Sequence, residues 1–269
     1  MNRYIGFPCG IRMYMRDDEA PADDVMHYPH THDFCELYLF LRGKCTYMVE
    51  NGIFPLSFGS VLYTRPGELH SVRVTEPCLY ERAYIQIQPD VLSFLQPSPL
   101  RCFTDRPFGQ DNYLQLSPED AEFCAQRIRR CFRLQEERSP DVQSLSLSVL
   151  LEILSVINRN RERGQPAAGN GLVSDTLRCI HENLPEIRTA KDVAQRLYVS
   201  REHLSRAFSR DMGITLTRYL TLKRIERAKE YLRKGLPPEE VCSRCGWGDM
   251  SYFIAVFRRE TGVTPGKYQ

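Results

Sequence analysis

The chain has 269 residues, of which 42% are hydrophobic and 26% are charged. These proportions are ordinary for a globular protein, and the length predicts two domains at roughly 100–200 residues each, which excludes a disordered tail and a lone small module. The net charge is +2, but positions 172–269 carry 18 Lys and Arg against 12 Asp and Glu. This basic C-terminal part indicates a polyanionic partner, although an ordinary solvated surface could carry the same excess of positive charge.

The sequence contains no signal for export or membrane insertion. No apolar run approaches the roughly 18 residues that span a bilayer, and the first residues lack the apolar core of a signal peptide. The ten cysteines are scattered along the chain, unlike the framework of a small secreted protein. We therefore expect a cytoplasmic protein with reduced thiols and no membrane partner.

The region from about residue 28 to residue 88 is rich in β-forming residues separated by turn residues. Strands are predicted at 36–41, 44–49, 53–56, 61–64 and 79–87. Asn51-Gly52 predicts a two-residue type I′ hairpin, because both residues tolerate positive φ. These features predict a small β-barrel.

Two short motifs in this region resemble the paired motifs of cupins. His30-Thr31-His32-Asp33-Phe34-Cys35-Glu36, followed by Gly43, fits the pattern H-x-H-x3-E-x6-G, and Pro66-Gly67-Glu68-Leu69-His70 is similar to its partner motif. Three imidazoles and one carboxylate are enough to hold Zn, Fe, Mn or Ni. A pocket that uses the same four residues as hydrogen-bonding groups without metal is the interpretation we favour.

Alternation along the strand at 36–41 places Glu36, Tyr38 and Phe40 on one face and three leucines on the other. Acidic, imidazole and phenol groups inside a closed barrel suit a small polar ligand, and Gln86 is a further candidate. A tightly hydrogen-bonded core would explain Arg65, Tyr84 and Gln86 equally well. The predicted effector-binding residues are His30, His32, Glu36, Tyr38, Arg65, His70 and Tyr84.

Ser117-Pro118-Glu119-Asp120 predicts a helix start, with a serine cap, a proline at the first position and acids in the first turn. Two apolar helices are predicted within 117–160, and their density of apolar residues suits pairing with a second chain. Residues 164–171 contain three glycines and a proline and predict a linker. The predicted domains are a barrel at 1–112, a helical dimerisation segment at 113–163, the linker, and a helical domain at 172–269.

The helical domain contains an internal repeat, in which positions 200–208 align with positions 249–257. Each copy has the apolar spacing of a helix-turn-helix. A small residue, a turn residue and two anchors recur as Ala194, Val199, Leu204 and Phe208, and then as Cys242, Trp247, Phe253 and Phe257. A plain helical-hairpin repeat would show the same pattern, but two copies in a basic domain favour DNA binding.

The last hundred residues resemble the AraC-type family of bacterial transcription regulators. The resemblance is carried by GWGDMSYF at 246–253, FRRETGVTP at 257–265 and a joining helix around 217–233. It implies two helix-turn-helix units that enter successive major grooves, about 34 Å apart. It also implies that the barrel is a sensing domain.

The resemblance also assigns candidate DNA contacts. In the first recognition helix Glu202, Ser205 and Arg206 would reach bases, and Arg206 is favoured because a guanidinium pairs bidentately with guanine. Arg201, His203 and Arg210 lie nearer the backbone in this assignment. The second helix would use Met250, Ser251, Ile254, Arg258 and Arg259, and it carries Ala255 where the family has a basic residue. We therefore expect the second helix to add affinity more than base selection.

Cys242-Ser243-Arg244-Cys245 has the spacing of a redox or zinc motif. A metal site needs two more ligands nearby, and both cysteines fill positions that are small or apolar in the family. We interpret them as buried core residues.

Together these features predict an α+β protein with a cupin-like barrel, a helical dimerisation segment and an all-α domain with two helix-turn-helix motifs. The predicted function is a homodimeric transcriptional activator without cofactor or enzymatic activity. It binds promoter DNA, contacts RNA polymerase and responds to a sugar or related metabolite. The alternatives are a metal-dependent cupin enzyme fused to a DNA-binding domain, with His30, His32, Glu36 and His70 as ligands, and a regulator whose barrel is only a scaffold.

Overall fold

The computed structural model describes residues 2–6, 10–21, 29–50, 52–161 and 171–268. These residues form two compact units. One contains the described residues up to 21 together with 31–161, and the other contains 171–268 together with positions 29 and 30. The predicted linker at 164–171 lies outside the described residues except for Gly171.

The N-terminal unit is built on two antiparallel sheets, which confirms the predicted α+β fold class with a β-barrel. The larger sheet has the order β1-β2-β8-β3-β6-β9, and the smaller one has the order β5-β4-β7. The sequence did not predict β1, β2, β7 or β9. The strands are β1 (Asn2–Gly6), β2 (Ile11–Ala20), β3 (Cys35–Arg42), β4 (Cys45–Val49), β5 (Gly52–Pro55), β6 (Ser60–Thr64), β7 (His70–Val74), β8 (Cys78–Ile87) and β9 (Tyr113–Gln115).

The two faces of the larger sheet pack against different partners. Tyr38 and Phe40 of β3 join residues of the smaller sheet in an inner cluster inside the barrel. Leu37, Leu39 and Leu41 point the other way, into a cluster formed with the helices. The predicted alternation along this strand is therefore confirmed.

The hairpin between β4 and β5 begins one residue earlier than predicted. Val49 pairs with Gly52, so Gly52 is a strand residue and Glu50, with a φ of +47°, opens the loop. Position 51 lies outside the described residues. Glu50 is buried, its backbone N–H donates to the Leu69 carbonyl at 2.8 Å, and its carboxylate accepts from the Leu69 N–H. The predicted turn at Asn51-Gly52 is wrong by one residue. The two-residue loop starts at Glu50 instead, because the hydrogen bonds between Glu50 and Leu69 fix its position.

Three helices complete the N-terminal unit: α1 (Arg101–Thr104), α2 (Pro118–Glu136) and α3 (Val142–Arg161). Ser117 caps α2 by accepting a hydrogen bond from the Asp120 N–H at 3.1 Å, as predicted. By length and composition alone, α3 is long and apolar enough to cross a membrane. Its apolar residues are nevertheless buried against α2 and the sheet, as in a core helix. The apolar density that suggested a partner chain is thus largely accounted for within one chain.

The C-terminal unit contains two similar helical hairpins joined by a long helix. Arg224 of that helix, α7, is nearly buried and links the two hairpins. Its guanidinium donates to the carbonyls of Ile187 and Arg188 at 2.8 and 2.9 Å and lies 5.7 Å from the Trp247 ring. The helices are α4 (Leu172–Asn183), α5 (Ala190–Arg196), α6 (Arg201–Met212), α7 (Leu216–Arg233), α8 (Pro238–Arg244) and α9 (Met250–Thr261).

Candidate ligand site and nucleic-acid interface

His32, Glu36 and His70 meet inside the barrel. Nε2 of His32 lies 3.7 Å from Oε2 of Glu36, and Nε2 of His70 lies 3.7 Å from Oε1. The ligand atoms of the three residues all lie within 4.8 Å of one another. One carboxylate therefore faces two imidazoles in a mostly buried space.

Backbone hydrogen bonds orient both imidazoles. Nδ1 of His32 lies 2.9 Å from the Phe34 carbonyl, and Nδ1 of His70 lies 2.9 Å from the Glu68 carbonyl. Because a carbonyl only accepts, each Nδ1 carries a proton and each ring is held with Nε2 on the opposite side. Both Nε2 atoms are thus directed to the space that Glu36 shares.

Two more residues line the same space. Gln86 is the register partner of Glu36 on β8, and its amide donates to Oε2 of Glu36 at 3.1 Å. The Tyr47 ring is stacked on His70 with centroids 6.0 Å apart. Burial raises the pKa of Tyr47 well above its usual value, with Glu36 adding to the shift. The phenol therefore stays a neutral hydrogen-bonding group.

A buried carboxylate, Glu68, holds the loop that carries His70. It accepts hydrogen bonds from both terminal nitrogens of Arg106, at 2.7 and 2.6 Å, from the Gly109 N–H at 2.8 Å and from Asn112 at 2.8 Å. Burial alone would raise its pKa, but the hydrogen bonds and charge of Arg106 outweigh burial and lower it. The Glu68 carboxylate therefore anchors the backbone whose carbonyl orients His70.

The structure does not bring all the predicted site residues together. His30 belongs to the other compact unit and is absent from the cluster, so three of the four predicted metal ligands converge. Arg65 lies against Glu68, with 3.4 Å between Nε and Oε1, and over the Phe108 ring. Tyr38 shares the inner face but hydrogen-bonds Tyr80 at 2.5 Å in the core, where burial raises its pKa.

Tyr84 belongs to a row of tyrosines that the sequence did not predict. Tyr38, Tyr84, Tyr14 and Tyr4 are successive register partners across β3, β8, β2 and β1. The rings of Tyr14 and Tyr84 are stacked with centroids 4.5 Å apart, and Tyr4 follows at 4.9 Å. The tyrosine row runs from the core to the exposed edge of the sheet. It was missed because the strand that contains Tyr14 was not predicted.

The first recognition helix, α6, presents a charged outer face. Ser200 caps it by accepting from the His203 N–H at 3.2 Å, and Leu204 and Phe208 are fully buried. Arg206 is exposed and makes no ion pair with any residue that the structure describes. Of the other predicted contacts, Ser205 is half-buried and Arg201, Glu202, His203 and Arg210 are exposed.

The second recognition helix, α9, presents a mainly uncharged outer face. Asp249 caps it by accepting from the Tyr252 N–H at 2.6 Å, and Phe253 and Phe257 are fully buried. Ser251, Arg258 and Arg259 are exposed, and Met250 and Ile254 are half-buried. Arg259 pairs with Glu260 at 2.9 Å, whereas Arg258 has no ion pair within the described chain.

Cys242 and Cys245 are buried in an apolar cluster with Trp247 and Phe253. Burial raises the pKa of Cys245 to about 12 and also raises that of Cys242. Their placement is that of core residues, consistent with the structural interpretation.

Comparison with known proteins finds two family matches. The AraC-like ligand-binding domain matches residues 18–154, and a helix-turn-helix domain matches residues 193–269. The HTH-type transcriptional activator RhaR of Yersinia pestis is 26% identical, covering 96% of this chain and 92% of its own. RhaR of Cronobacter sakazakii is 28% identical over 88% of this chain and 84% of its own.

Among solved structures, the DNA-binding domain of AdpA in complex with a target DNA is 27% identical. The match covers 37% of this chain and 90% of the AdpA domain, with a TM-score of 0.35. The predicted pair of a ligand-binding barrel and a helix-turn-helix domain is confirmed by the two family matches.

Proposed function

This chain belongs to the AraC family of transcription regulators, and we propose that it activates transcription when a small polar effector occupies its barrel. The effector class is a sugar or a related polyhydroxylated metabolite. The observation that carries the proposal is the cluster of His32, Glu36, His70 and Gln86 on the inner face of an otherwise apolar and aromatic barrel. The activators among its relatives support the sign of regulation.

The cluster offers the hydrogen-bonding groups that a polyol requires. The Glu36 carboxylate accepts from two neighbouring hydroxyls, and each imidazole Nε2 forms a hydrogen bond with one more. Hydrogen bonds to a charged group are roughly twice as strong as neutral ones, and a partly buried site makes a missing hydroxyl costly. Effectors that lack adjacent hydroxyls are therefore expected to bind much more weakly.

The tyrosine row supplies an apolar surface beside these polar groups. Tyr84 lies next to Gln86 on the same face of β8, and the guanidinium of Arg16 lies 5.5 Å from its ring. Aromatic rings with a polar edge suit ligands that are apolar on one face and hydroxylated at the rim. Such a surface favours a ring-shaped sugar over a linear polar metabolite.

The two recognition helices support different roles in DNA binding. Arg206 of α6 is exposed and is not engaged in an ion pair, so it is available to a guanine edge. Arg258 of α9 is equally available, but the neighbouring Ile254 and Ala255 offer only apolar contact. We assign base selection mainly to α6 and phosphate contacts mainly to α9.

The effector proposal is tested by thermal unfolding of the full chain with a panel of sugars and metabolites. A ligand at a hundredfold excess over its Kd stabilises by about 2.7 kcal/mol through mass action. Glu36→Gln should abolish the shift, whereas Glu19→Gln, which changes an exposed carboxylate on β2, should retain it. A shift that survives Glu36→Gln would place the effector elsewhere.

A divalent metal is a second candidate ligand of the same cluster, favoured by the 4.8 Å grouping of its ligand atoms. The Nδ1 bonds to backbone carbonyls are those that orient imidazoles in metal sites. Elemental analysis of the purified protein separates the candidates. Stoichiometric metal that is lost in His70→Ala would make the metal the ligand or a bridge to the effector.

Dimerisation through the helices at 117–160 and contact with RNA polymerase remain parts of the proposal. Effector binding acts on promoters only if it favours one conformation of the regulator over another. Analytical ultracentrifugation of the full chain tests the dimer. A monomer at all concentrations, with and without promoter DNA, would remove dimerisation from the mechanism.

A further inference from the structure

Two cysteines from different sheets lie side by side at one end of the barrel. Cys45 begins β4 in the smaller sheet, and Cys78 begins β8 in the larger one. Of the nine described cysteines, Cys78 is partly exposed and the other eight are buried. Neither Cys45 nor Cys78 belongs to the effector cluster or to the recognition helices.

Hydrogen bonds between two turns place the thiols together. Thr75 donates to the Lys44 carbonyl through its N–H at 2.8 Å and through its hydroxyl at 3.0 Å. The Lys44 N–H in turn donates to Sγ of Cys78 at 3.2 Å. Because Lys44 directly precedes Cys45, these bonds hold the two cysteines at the same end of the barrel, where Cys78 packs against the inner cluster that contains Cys45.

The two thiols differ in their surroundings. Cys45 is 5% exposed and packs in the inner cluster with Tyr80. Burial raises the pKa of Cys45 to about 12, with the adjacent Cys78 adding to the shift. Because Cys78 is partly exposed and Cys45 is buried, a soluble oxidant reaches Cys78 first, and Cys45 is placed to react second.

We propose that Cys45 and Cys78 are a modification site that forms a reversible disulfide on exposure to a peroxide. The Cys78 sulfur attacks hydrogen peroxide, so that an S–O bond forms, the O–O bond breaks and one water leaves after proton transfer. The Cys45 sulfur then attacks the resulting sulfenic acid, so that the S–S bond forms and a second water leaves. Two thiols lose two electrons and two protons, and one peroxide is reduced to two waters.

The disulfide would join the two sheets away from the effector cluster. β4 pairs Cys45 with Val74 at one end and Val49 with His70 at the other. The link therefore closes the end of the barrel opposite His70. A covalent link between residues this far apart in sequence restricts the unfolded chain, so the oxidised barrel should melt roughly 5–10 °C higher.

The test uses the reduced full-length protein, treated with hydrogen peroxide, alkylated and digested with trypsin. Cys45 lies in the fragment 45–73 and Cys78 in the fragment 74–82, and each fragment contains one cysteine. We expect the two fragments to be joined with a loss of two hydrogens and to separate on treatment with dithiothreitol. In Cys45→Ala, a sulfenic acid at Cys78 should be trapped by dimedone.

Cys124→Ala is the matched control, because Cys124 is equally buried and its pKa is raised by burial and by Asp120 rather than by a second thiol. It should oxidise like the natural protein, whereas Cys78→Ala should leave Cys45 reduced. Mapping of the natural protein decides the question even if a variant fails to fold. Oxidation of other cysteines without the 45–78 link, or no oxidation at all, would overturn the proposal.

Discussion

The first and second helix-turn-helix copies begin and end their recognition helices in the same way. Ser200 and Asp249 each accept a hydrogen bond from the N–H three residues later. Both helices end at a glycine with positive φ, Gly213 at +70° and Gly262 at +82°. Four residues separate the two helices of the first copy and five separate those of the second, so the second copy has one more residue in its turn.

The outer faces of the same two helices differ. The position of Arg206 in α6 is occupied by Ala255 in α9, and that of His203 by Tyr252. A few capping and anchoring residues thus determine the helical frame, and the exposed positions vary independently of it. The two copies therefore share their helical frame and differ in the side chains that they expose.

The shared frame predicts equal losses of stability when either copy loses its anchor. Phe208 and Phe257 are fully buried, so Phe208→Ala and Phe257→Ala should each cost about 3–5 kcal/mol. Denaturant unfolding followed by the fluorescence of Trp247, the one tryptophan of the chain, measures this in the C-terminal unit. Tyr252→Ala, at a 58% exposed position, should cost less than 1 kcal/mol. A large loss in only one copy would contradict the shared frame.

The different outer faces predict different effects on DNA binding. Arg206→Ala should weaken binding by about 10–100-fold and relax selection at one base pair. Arg258→Ala should instead weaken binding to all sequences and reduce the salt slope by about one. These two effects are separated by fluorescence anisotropy, measured at several salt concentrations with a selected operator and its single-base variants. If Arg206→Ala weakened every sequence equally, α6 would not be the selective helix.

A carboxylate near the end of each recognition helix distinguishes the copies further. Glu260 accepts two hydrogen bonds from Arg218 of α7, at 2.5 and 2.7 Å, whereas the equivalent Asp211 bonds its own neighbour Arg210. The hydrogen bonds from Arg218 outweigh burial and lower the pKa of Glu260. Arg218 is 41% exposed, so solvent screening limits the gain, and Glu260→Gln should cost about 1 kcal/mol while Asp211→Asn costs less.

This difference should depend on pH. A carboxyl group with a lowered pKa in the folded state adds stability above its unfolded pKa of about 4.3 and loses it as the pH falls through the folded value. Unfolding free energies measured at pH 7 and near pH 3 should therefore show the cost of Glu260→Gln shrinking in acid. A cost that is the same at both pH values would mean that charge is not its source.

The sequence predicted those parts of the molecule that depend on local periodicity and capping. Alternation placed Glu36 and Tyr38 on the inner face of β3, and the cap at Ser117 was found from residue type alone. The repeat located both recognition helices because their buried anchors recur at a fixed offset. The alternation and the cap are each contained within a few neighbouring residues, and the repeat is found by comparing two such local patterns.

The parts that were missed depend on contacts between distant residues. Glu68 lies within the second cupin-like motif, but its role follows from contacts with Arg106 and Asn112, about forty residues later. The Asn51-Gly52 signal was overridden by the bonds of Glu50 to Leu69. His30 has the spacing of a cupin ligand, yet spacing alone did not bring it to Glu36.

The turn within each copy provides the smallest and most direct comparison. Tyr198 has a φ of +55° and is 96% exposed, whereas the equivalent Gly246 has a φ of +76°. A left-handed conformation costs a non-glycine residue about 1 kcal/mol or more, and glycine loses about 0.5–1 kcal/mol in chain entropy. Tyr198→Gly should therefore stabilise the C-terminal unit by about 0.5 kcal/mol, measured by denaturant unfolding followed by the fluorescence of Trp247.

The reverse change is Gly246→Ala. The new Cβ would meet Arg224 Nε at an ordinary 3.7 Å, so a loss of about 1 kcal/mol would report backbone strain alone. Destabilisation by Tyr198→Gly together with a neutral Gly246→Ala would show that the two turns do not share one conformation.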